Sequence, residues 1–319
     1  MLTRRAFSLA VSLLGAGCGA PTLDARVDHP SADPAHGAHT ESTFASRKDG
    51  VTLYEQSWRP EAKGAALKGG LVIVHGLKDH GARYDELAAR LVQHGISVHA
   101  MDLRGHGRSG GERVWVEHFQ DYIDDVAQYV ELVRERETPP KLFLMGHSMG
   151  GAIAALYVVR KPPVAPMPDG LVLSGAALKA SVSGFKIFGT KIVAGIAPRA
   201  AVFQLDFEDF SRDPKVIEAC KKDPLVYQRA AAAHTARELL GAMKPIEDNL
   251  PTFELPLLLL HGEKDVVTDP GGTKAMYERA AAKDKTLHIY EDDLHDILHE
   301  PDHERVIVDI DAFVTRLSR

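Results

Sequence analysis

The sequence is poor in cysteine and has no excess of positive charge. It contains two cysteines, Cys18 and Cys220, in 319 residues, and 38 lysines and arginines against 44 aspartates and glutamates, a formal net charge of −6. Without a basic stripe there is no electrostatic footprint for nucleic acid, so no nucleic-acid partner is predicted. The composition is that of a soluble globular protein that can bury a sizeable core in one large domain or two small ones.

The N-terminus lacks an apolar run long enough to span a membrane. The apolar stretch Ala6–Ala16 is well under the roughly 18 residues that a spanning helix needs. It follows a pair of arginines, and together they resemble a twin-arginine export signal. Small residues then lead to Cys18, as in the lipobox of bacterial lipoproteins, with Gly15 where leucine is usual. The resemblance implies that residues 1–18 are a signal peptide and that lipidated Cys18 tethers an exported protein, a bacterial periplasmic or cell-envelope lipoprotein, to a membrane.

Other interpretations of this segment are a signal peptide without lipid and a buried N-terminal helix. If Cys18 carries lipid, Cys220 is the remaining cysteine and no intramolecular disulfide is possible. Cys220 is predicted to be a buried or partly buried thiol, because no catalytic cysteine pattern surrounds it. Residues 19–45 contain several prolines and histidines and few large apolar side chains, so they are predicted to be a linker.

After residue 45, short apolar runs alternate with helical patterns. Continuous runs bounded by glycine mark strands that are buried on both faces of a parallel sheet. Such runs occupy residues 70–76, 96–101, 141–145, 170–174 and 257–261. Strands alternating with helices predict an α/β fold, a mostly parallel doubly wound sheet, with its site at the carboxyl ends of the strands. Residues 46–175 and 251–319 are assigned to this core.

The interval 176–250 interrupts the alternation with helical stretches and no clear buried strand. We therefore predict an inserted helical cap over the strand ends. Phe185, Phe188 and Ile192 in this interval carry apolar side chains at helical spacing. They are candidates to line an acyl-chain pocket, although the same face could equally pack the cap onto the sheet.

The pentapeptide Gly146–Gly150 has the pattern G-x-S-x-G between a predicted strand and a predicted helix. In this context it is the signature of a nucleophile elbow, a turn so sharp that a Cβ two residues either side of the serine would clash. Ser148 is therefore the candidate nucleophile. The backbone N–H of Met149, and that of Leu77 after the first buried strand, are the predicted donors of an oxyanion hole.

A serine hydroxyl needs a base, and the base needs a third group to orient it. Asp265 follows the predicted strand 257–261 and His295 follows a further predicted strand, 286–290, in the order that this fold requires. Glu263 is the alternative acid and His299 the alternative base. Asp269 is instead expected to cap the helix that opens at Pro270.

The chain resembles the monoacylglycerol lipase and lysophospholipase branch of the α/β-hydrolases, often grouped with serine aminopeptidase S33 sequences. Five motifs in order, within residues 45–317, carry the resemblance: His75-Gly76-Leu77 with His80–Tyr84, Asp102 with Arg104–Ser109, Gly146–Gly150, Leu260–Asp265, and His295–Glu300. It implies Ser148 as nucleophile, His295 as base, Asp265 as its orienter, an oxyanion hole from Leu77 and Met149, and no cofactor or metal. It further implies hydrolysis of carboxylic esters, typically monoacylglycerols or lysophospholipids, through an acyl-enzyme.

One stretch departs from what the resemblance implies, and an alternative activity stays open. Lys78-Asp79 in the oxyanion loop is more polar than the entrance for a long acyl chain would favour. An aminopeptidase or amidase on the same scaffold is the alternative activity, with Asp206, Glu208 and Asp209 as candidates to hold a substrate amine. A catalytically inactive binding module is disfavoured because nucleophile, acid and base are all present. The sequence leaves the oligomeric state open.

Overall fold

A computed structural model describes residues 27–29, 37–60, 66–162, 166–180 and 192–319. Within this part, nine strands form one sheet in the order β1-β2-β3-β5-β4-β6-β7-β10-β11, and two short strands form a separate ribbon, β8-β9. Strands β5, β4, β6, β7, β10 and β11 are parallel, and β1 to β3 form an antiparallel edge. The strands are β1 Val27–His29, β2 Ala38–Ala45, β3 Thr52–Arg59, β4 Gly69–Val74, β5 Ile96–Met101, β6 Leu142–His147, β7 Gly170–Ser174, β8 Ala201–Phe203, β9 Ala231–Ala232, β10 Leu257–Gly262 and β11 Lys285–Tyr290.

Helices cover both faces of the sheet. One hydrophobic cluster joins the sheet to α2, α3, α6 and α7, and a second joins the opposite face to α1 and α8. The helices are α1 Asp85–Gln93, α2 Phe119–Glu137, α3 Met149–Arg160, α4 192–196, α5 Pro214–Lys222, α6 Ala233–Asp248, α7 Pro270–Arg279 and α8 Glu304–Leu317. This is the doubly wound α/β architecture predicted from the alternation of buried runs and helical patterns.

The predicted linker 19–45 is wrong over residues 27–29 and 38–45, which form strands β1 and β2. The longer of the two is β2. It pairs with β3 along its whole length, from Ala38 opposite Arg59 to Ala45 opposite Thr52. The strand is polar, so its composition gives no sign of a core element. Backbone hydrogen bonds to β3 on one side and to β1 on the other hold it in the sheet, and a strand paired in this way can be formed by polar residues.

Strand β3 is also more buried than its alternating pattern predicted. Residues 53–58 are all buried, because both faces of β3 are covered: Leu53 packs in one hydrophobic cluster and Trp58 in the cluster on the opposite face. Residues 51–58 alternate in polarity in the sequence, a pattern that predicts a half-exposed strand.

The described part of the interval 176–250 lies over the carboxyl ends of the strands. It contains α4, α5, α6 and the ribbon β8-β9, an element that the sequence did not predict. Backbone hydrogen bonds attach this cap to the loops of the core. Among them, Tyr227 N–H donates to Lys78 O at 2.9 Å, and Asp296 N–H donates to Phe210 O at 2.7 Å.

Two of the three candidate pocket residues of the cap, Phe185 and Phe188, lie outside the described residues, as does Cys18. Ile192 lies at the start of α4 with 45% of its side chain exposed. Across the described residues there is no helix both long enough and apolar enough to cross a bilayer. The same residues contain no group of three or more histidine, cysteine or acidic side chains arranged to hold a metal ion.

Candidate active site

The turn between β6 and α3 holds Ser148 in a strained conformation. Its φ of 54° and ψ of −119° lie outside the ordinary helical and strand regions. A Cβ on Gly146 would lie 2.2 Å from Gly150 O, and a Cβ on Gly150 would lie 2.1 Å from Val74 O. The predicted reason for both glycines is therefore correct: neither position has room for a side chain.

His295 connects Ser148 to Asp265. Its Nε2 is 2.8 Å from Ser148 Oγ, and its Nδ1 is 2.7 Å from Asp265 Oδ2. The three side chains come from the carboxyl ends of β6, β10 and β11, which the parallel sheet brings to one edge. In this arrangement the serine hydroxyl donates to Nε2 and the Nδ1–H group donates to the carboxylate.

Several groups besides His295 hold the Asp265 carboxylate in place. Its Oδ1 accepts hydrogen bonds from the N–H groups of Val267 at 2.7 Å and Thr268 at 2.9 Å. Its Oδ2 accepts from Thr268 Oγ1 at 2.8 Å and lies 3.0 Å from Nε2 of a second histidine, His261. Burial favours the neutral acid, but the charge of His295 and hydrogen bonds from His261 and His295 outweigh it and lower the pKa of the Asp265 carboxyl well below its ordinary value.

Sequence reasoning missed His261 and Thr268 as site residues. His261 lies near the end of β10, four residues before Asp265, and its Nδ1 is 2.7 Å from Thr273 Oγ1. That hydroxyl can donate to Nδ1, which leaves the Nε2–H group free to donate to Asp265. The sequence did offer one signal for His261: it ends the apolar run 257–261 and lies four residues before the predicted acid, Asp265.

The environment of His295 favours a proton on its ring. Burial by itself lowers the pKa of this imidazole, but the Asp265 carboxylate outweighs burial and raises the pKa above the ordinary value of 6.5. The neighbouring ring of His147, 5.0 Å away between centroids, adds no competing charge near neutral pH. Burial and the charge of His295 lower the pKa of His147 to about 4.

Neither the alternative base, His299, nor the alternative acid, Glu263, takes part in the hydrogen-bonded chain from Ser148. His299 directs Nδ1 to Asp296 at 2.8 Å and Nε2 to the carbonyl of Arg83 at 2.9 Å, so both of its ring nitrogens are engaged elsewhere. Glu263 is exposed to solvent. Asp269 caps α7 by accepting a hydrogen bond from Gly271 N–H at 2.7 Å, as predicted.

The predicted oxyanion donors lie on both sides of Ser148. Met149 is the first residue of α3, and Leu77 follows Gly76, where an added Cβ would lie only 3.1 Å from Ser148 Cβ. Neither N–H donates to another backbone group of the described residues. Both are therefore available to an anionic oxygen bound beside Ser148.

The cap places an aromatic wall beside His295. The ring of Phe210 contacts the His295 imidazole edge-to-face at 5.4 Å between centroids, and Phe207 lies 6.1 Å from Phe210. Asp206, Glu208 and Asp209, the candidates to hold a substrate amine, are neighbours of Phe207 and Phe210 in the chain. Glu208 is exposed and forms an ion pair with Lys221 at 2.5 Å, and Asp206 is exposed as well.

Comparison with known proteins identifies the family. A family model described as serine aminopeptidase, S33, matches residues 65–302. The chain belongs to this family. Among curated members it is 33% identical over 278 residues to the monoacylglycerol lipase of Mycolicibacterium smegmatis (strain ATCC 700084 / mc(2)155), covering 86% of this chain and 96% of the relative. It is also 34% identical over 255 residues to the monoglyceride lipase of Homo sapiens, covering 79% and 82% of the two chains.

A solved structure of a monoacylglycerol lipase has the same fold as this chain. The crystal structure of Paleococcus ferrophilus monoacylglycerol lipase superposes with a TM-score of 0.72 and 28% identity, covering 83% of this chain and 99% of that one. The predicted fold class is therefore confirmed: this S33 family member is an α/β-hydrolase. It is a serine enzyme that hydrolyses carboxylic esters, as its sequence predicted.

Proposed function

We propose that this protein hydrolyses monoacylglycerol-like esters through an acyl-enzyme formed on Ser148. The observation that carries the proposal is the hydrogen-bonded chain from Ser148 Oγ through His295 to Asp265, at 2.8 Å and 2.7 Å. The similarity to monoacylglycerol lipases over most of both chains supports the choice of substrate.

In the acylation step, Ser148 Oγ attacks the ester carbonyl while His295 Nε2 accepts the hydroxyl proton. The carbonyl oxygen becomes an anion, which the N–H groups of Leu77 and Met149 stabilise. The imidazolium is stabilised by Asp265, whose own carboxyl stays ionised because its pKa is low. The tetrahedral intermediate collapses as Nε2 donates the proton to the leaving alcohol, so glycerol departs and the acyl group remains on Ser148.

Deacylation repeats these steps with water as the nucleophile. His295 accepts a proton from the water that attacks the acyl-enzyme, and then returns it to Ser148 Oγ when the ester breaks. The fatty acid leaves as the second product. No step needs a metal or an organic cofactor, because the chain's own groups supply nucleophile, proton transfer and oxyanion stabilisation.

The decisive experiment compares the wild type with Ser148→Ala on a monoacylglycerol. We expect the variant to lose at least about 10³-fold in kcat, because triad residues act as a unit. A fluorophosphonate probe should label the wild type and leave Ser148→Ala unlabelled. Ser42→Ala in β2 is the control and should keep both turnover and labelling. Unchanged turnover by Ser148→Ala would refute the proposal, and turnover of amino-acid anilides in place of esters would favour the amidase alternative.

We further propose that residues 1–18 are an export signal and that Cys18 is lipidated, which places the enzyme on a membrane in the cell envelope. The paired arginines, the short apolar stretch and the small residues before Cys18 support this proposal. Cys18→Ser should abolish labelling of the protein by fatty acid. Cys220→Ser is the matched control, because Cys220 is a buried thiol in α5 and should not affect labelling. Label that persists in Cys18→Ser would contradict the lipoprotein assignment.

A further inference from the structure

Lys78 combines two unfavourable features directly beside the oxyanion loop. It follows Leu77, and its backbone has a φ of 71°, in the left-handed region that disfavours residues with a Cβ. Its side chain is only 3% exposed, and its ammonium nitrogen has no hydrogen-bond partner among the described residues. Asp79 and His80, which follow it, do find partners in the loop and the cap.

Neither feature is explained by folding alone. A buried ammonium group without a partner is unstable relative to the same group in water, and the left-handed backbone adds strain. Glycine would remove both penalties at this position. Features of this kind concentrate at functional sites, where a ligand supplies what the protein lacks.

A chain of ring contacts connects the ammonium group to the proposed base, His295. Lys78 Nζ lies 5.5 Å from the centre of the Phe207 ring, and Phe207 contacts Phe210, which contacts His295. The cap fixes the Lys78 backbone through the hydrogen bond from Tyr227 N–H. Burial lowers the pKa of the Lys78 ammonium, and the exposed carboxylate of Asp206 only partly opposes this.

We infer that Lys78 is a substrate-binding residue that receives an anionic group, a phosphate or a carboxylate, carried by the ester that Ser148 attacks. An ammonium group has three N–H donors and no acceptor, so an anion is its strongest complement. In a site from which water is excluded, this pairing is stronger than in solution. The inference rests on the proposed function, because it assumes that an ester binds beside Ser148.

The experiment compares kcat/KM for esters that differ only in the anion. One pair is decanoylglycerol and decanoylglycerol phosphate, with the anion on the alcohol. The other pair is ethyl octanoate and monoethyl suberate, with the anion on the acyl chain. We expect the wild type to prefer the charged member of one pair by about 10- to 100-fold, since a hydrogen bond to a charged group contributes about 1.5–3 kcal/mol. The pair that shows the preference identifies the half of the substrate that carries the anion.

Lys78→Met should remove the preference and Lys78→Arg should keep most of it. The ratio within a pair cancels any effect of the substitution on the neighbouring Leu77 backbone, because both esters use the same oxyanion hole. Lys222→Met, at an exposed lysine of α5, is the matched control and should leave the ratio unchanged. Lys78→Gly should abolish the preference while relieving the backbone strain.

Two results overturn the inference: no preference for the anion in either pair by the wild type, or a preference that Lys78→Met retains. The first needs only the wild type, so the inference remains testable if the variants fail to fold. Hydrolysis of neither pair would instead contradict the proposed function, which separates the two failures.

Discussion

At Asp265 a single carboxylate oxygen lies within hydrogen-bond distance of two histidine rings, His295 at 2.7 Å and His261 at 3.0 Å. The other oxygen accepts two backbone N–H groups. This set of donors fixes the carboxylate and keeps it ionised, so that it can stabilise a positive charge on His295. These contacts explain why the ring of His295, the proposed base, is held in place and can accept a proton.

The pH dependence follows from this environment. The proposed base acts only when its ring is neutral, so kcat/KM should fall as the pH drops through the pKa of His295. Because Asp265 raises that pKa, we expect the acid limb to lie above 6.5. Asp265→Asn removes the negative charge that stabilises the imidazolium, so the limb should move to lower pH. The rate should also fall, by about 10⁴-fold, because the amide can turn its NH2 group toward the ring and so favour the wrong tautomer.

The measurement is a kcat/KM profile of both proteins on a neutral ester between pH 5 and 9, a range that brackets an ordinary histidine pKa. His299→Ala is a useful companion, since His299 contacts Asp296 and Arg83 and not Ser148. An acid limb that shifts with His299→Ala and stays in place with Asp265→Asn would reverse the assignment of the base.

At the scale of elements, the elbow depends on how closely α3 approaches β4. Gly150 lies so near that strand that a Cβ would meet Val74 O at 2.1 Å and His75 O at 2.6 Å. Backbone atoms cannot move aside as a flexible side chain can. The approach sets the position of the α3 N-terminus and hence of the Met149 N–H group. The same contact therefore determines packing and proposed chemistry.

Gly150→Ala should destabilise the protein by about 3 kcal/mol or more, because overpacking here displaces backbone and not a side chain. Gly241→Ala is the matched control. Gly241 lies inside α6 with nothing within 4 Å of an added Cβ, so alanine should stabilise the helix by about 0.5–1 kcal/mol. Urea denaturation measures both changes, and equal effects in the two variants would contradict the close approach at Gly150.

Strand β2 shows how an element can escape prediction. Its burial pattern has no apolar face, and its membership of the sheet depends on pairing with β3. His39 in this strand stacks on Trp58 at 5.1 Å between ring centroids, a contact across the two strands. Composition identifies strands by the side chains that they bury, so a polar strand resembles a linker until its pairing partner is known.

At the scale of the whole molecule, an internal ion-pair cluster joins the loops that carry the site. Arg83 follows β4, and its guanidinium group contacts Asp79 at 3.2 Å and Asp296 at 2.6 Å. Asp296 lies directly after His295, so the cluster connects the oxyanion loop to the loop of the proposed base. His299, the rejected base, contacts Asp296 from the other side at 2.8 Å.

Arg83→Met should therefore lower the free energy of unfolding by about 3–5 kcal/mol, because it leaves two buried carboxylates without their cation. Arg90→Met provides the comparison. Arg90 is more exposed and pairs with the exposed Glu304, and removing such a surface pair should cost less than about 1 kcal/mol. Chemical denaturation at neutral pH distinguishes the two, and a cost below 1 kcal/mol for Arg83→Met would show that the cluster does not hold the loops together.

The sequence by itself determined the class of fold, the order of the buried strands and the residues at their ends. Apolar runs, glycines around Ser148 and polar residues after the last two strands are local patterns, and a parallel sheet brings such ends to one edge. Ser148, Asp265 and His295 could therefore be predicted together although they lie far apart in the chain. Leu77 and Met149 were predicted as oxyanion donors for the same reason, because each follows the carboxyl end of a buried strand.

Only the tertiary structure decided what depends on contacts between distant segments. It separated His295 from His299, which share a short stretch of chain but face different partners. It added His261 to Asp265 and paired β2 with β3. It also buried Lys78 beneath the cap, where its ammonium group has no hydrogen-bond partner in the part of the chain that the structure describes. The physical reason is common to all four: burial and hydrogen bonding are set by which segments meet in space, and no local pattern in the chain encodes that meeting.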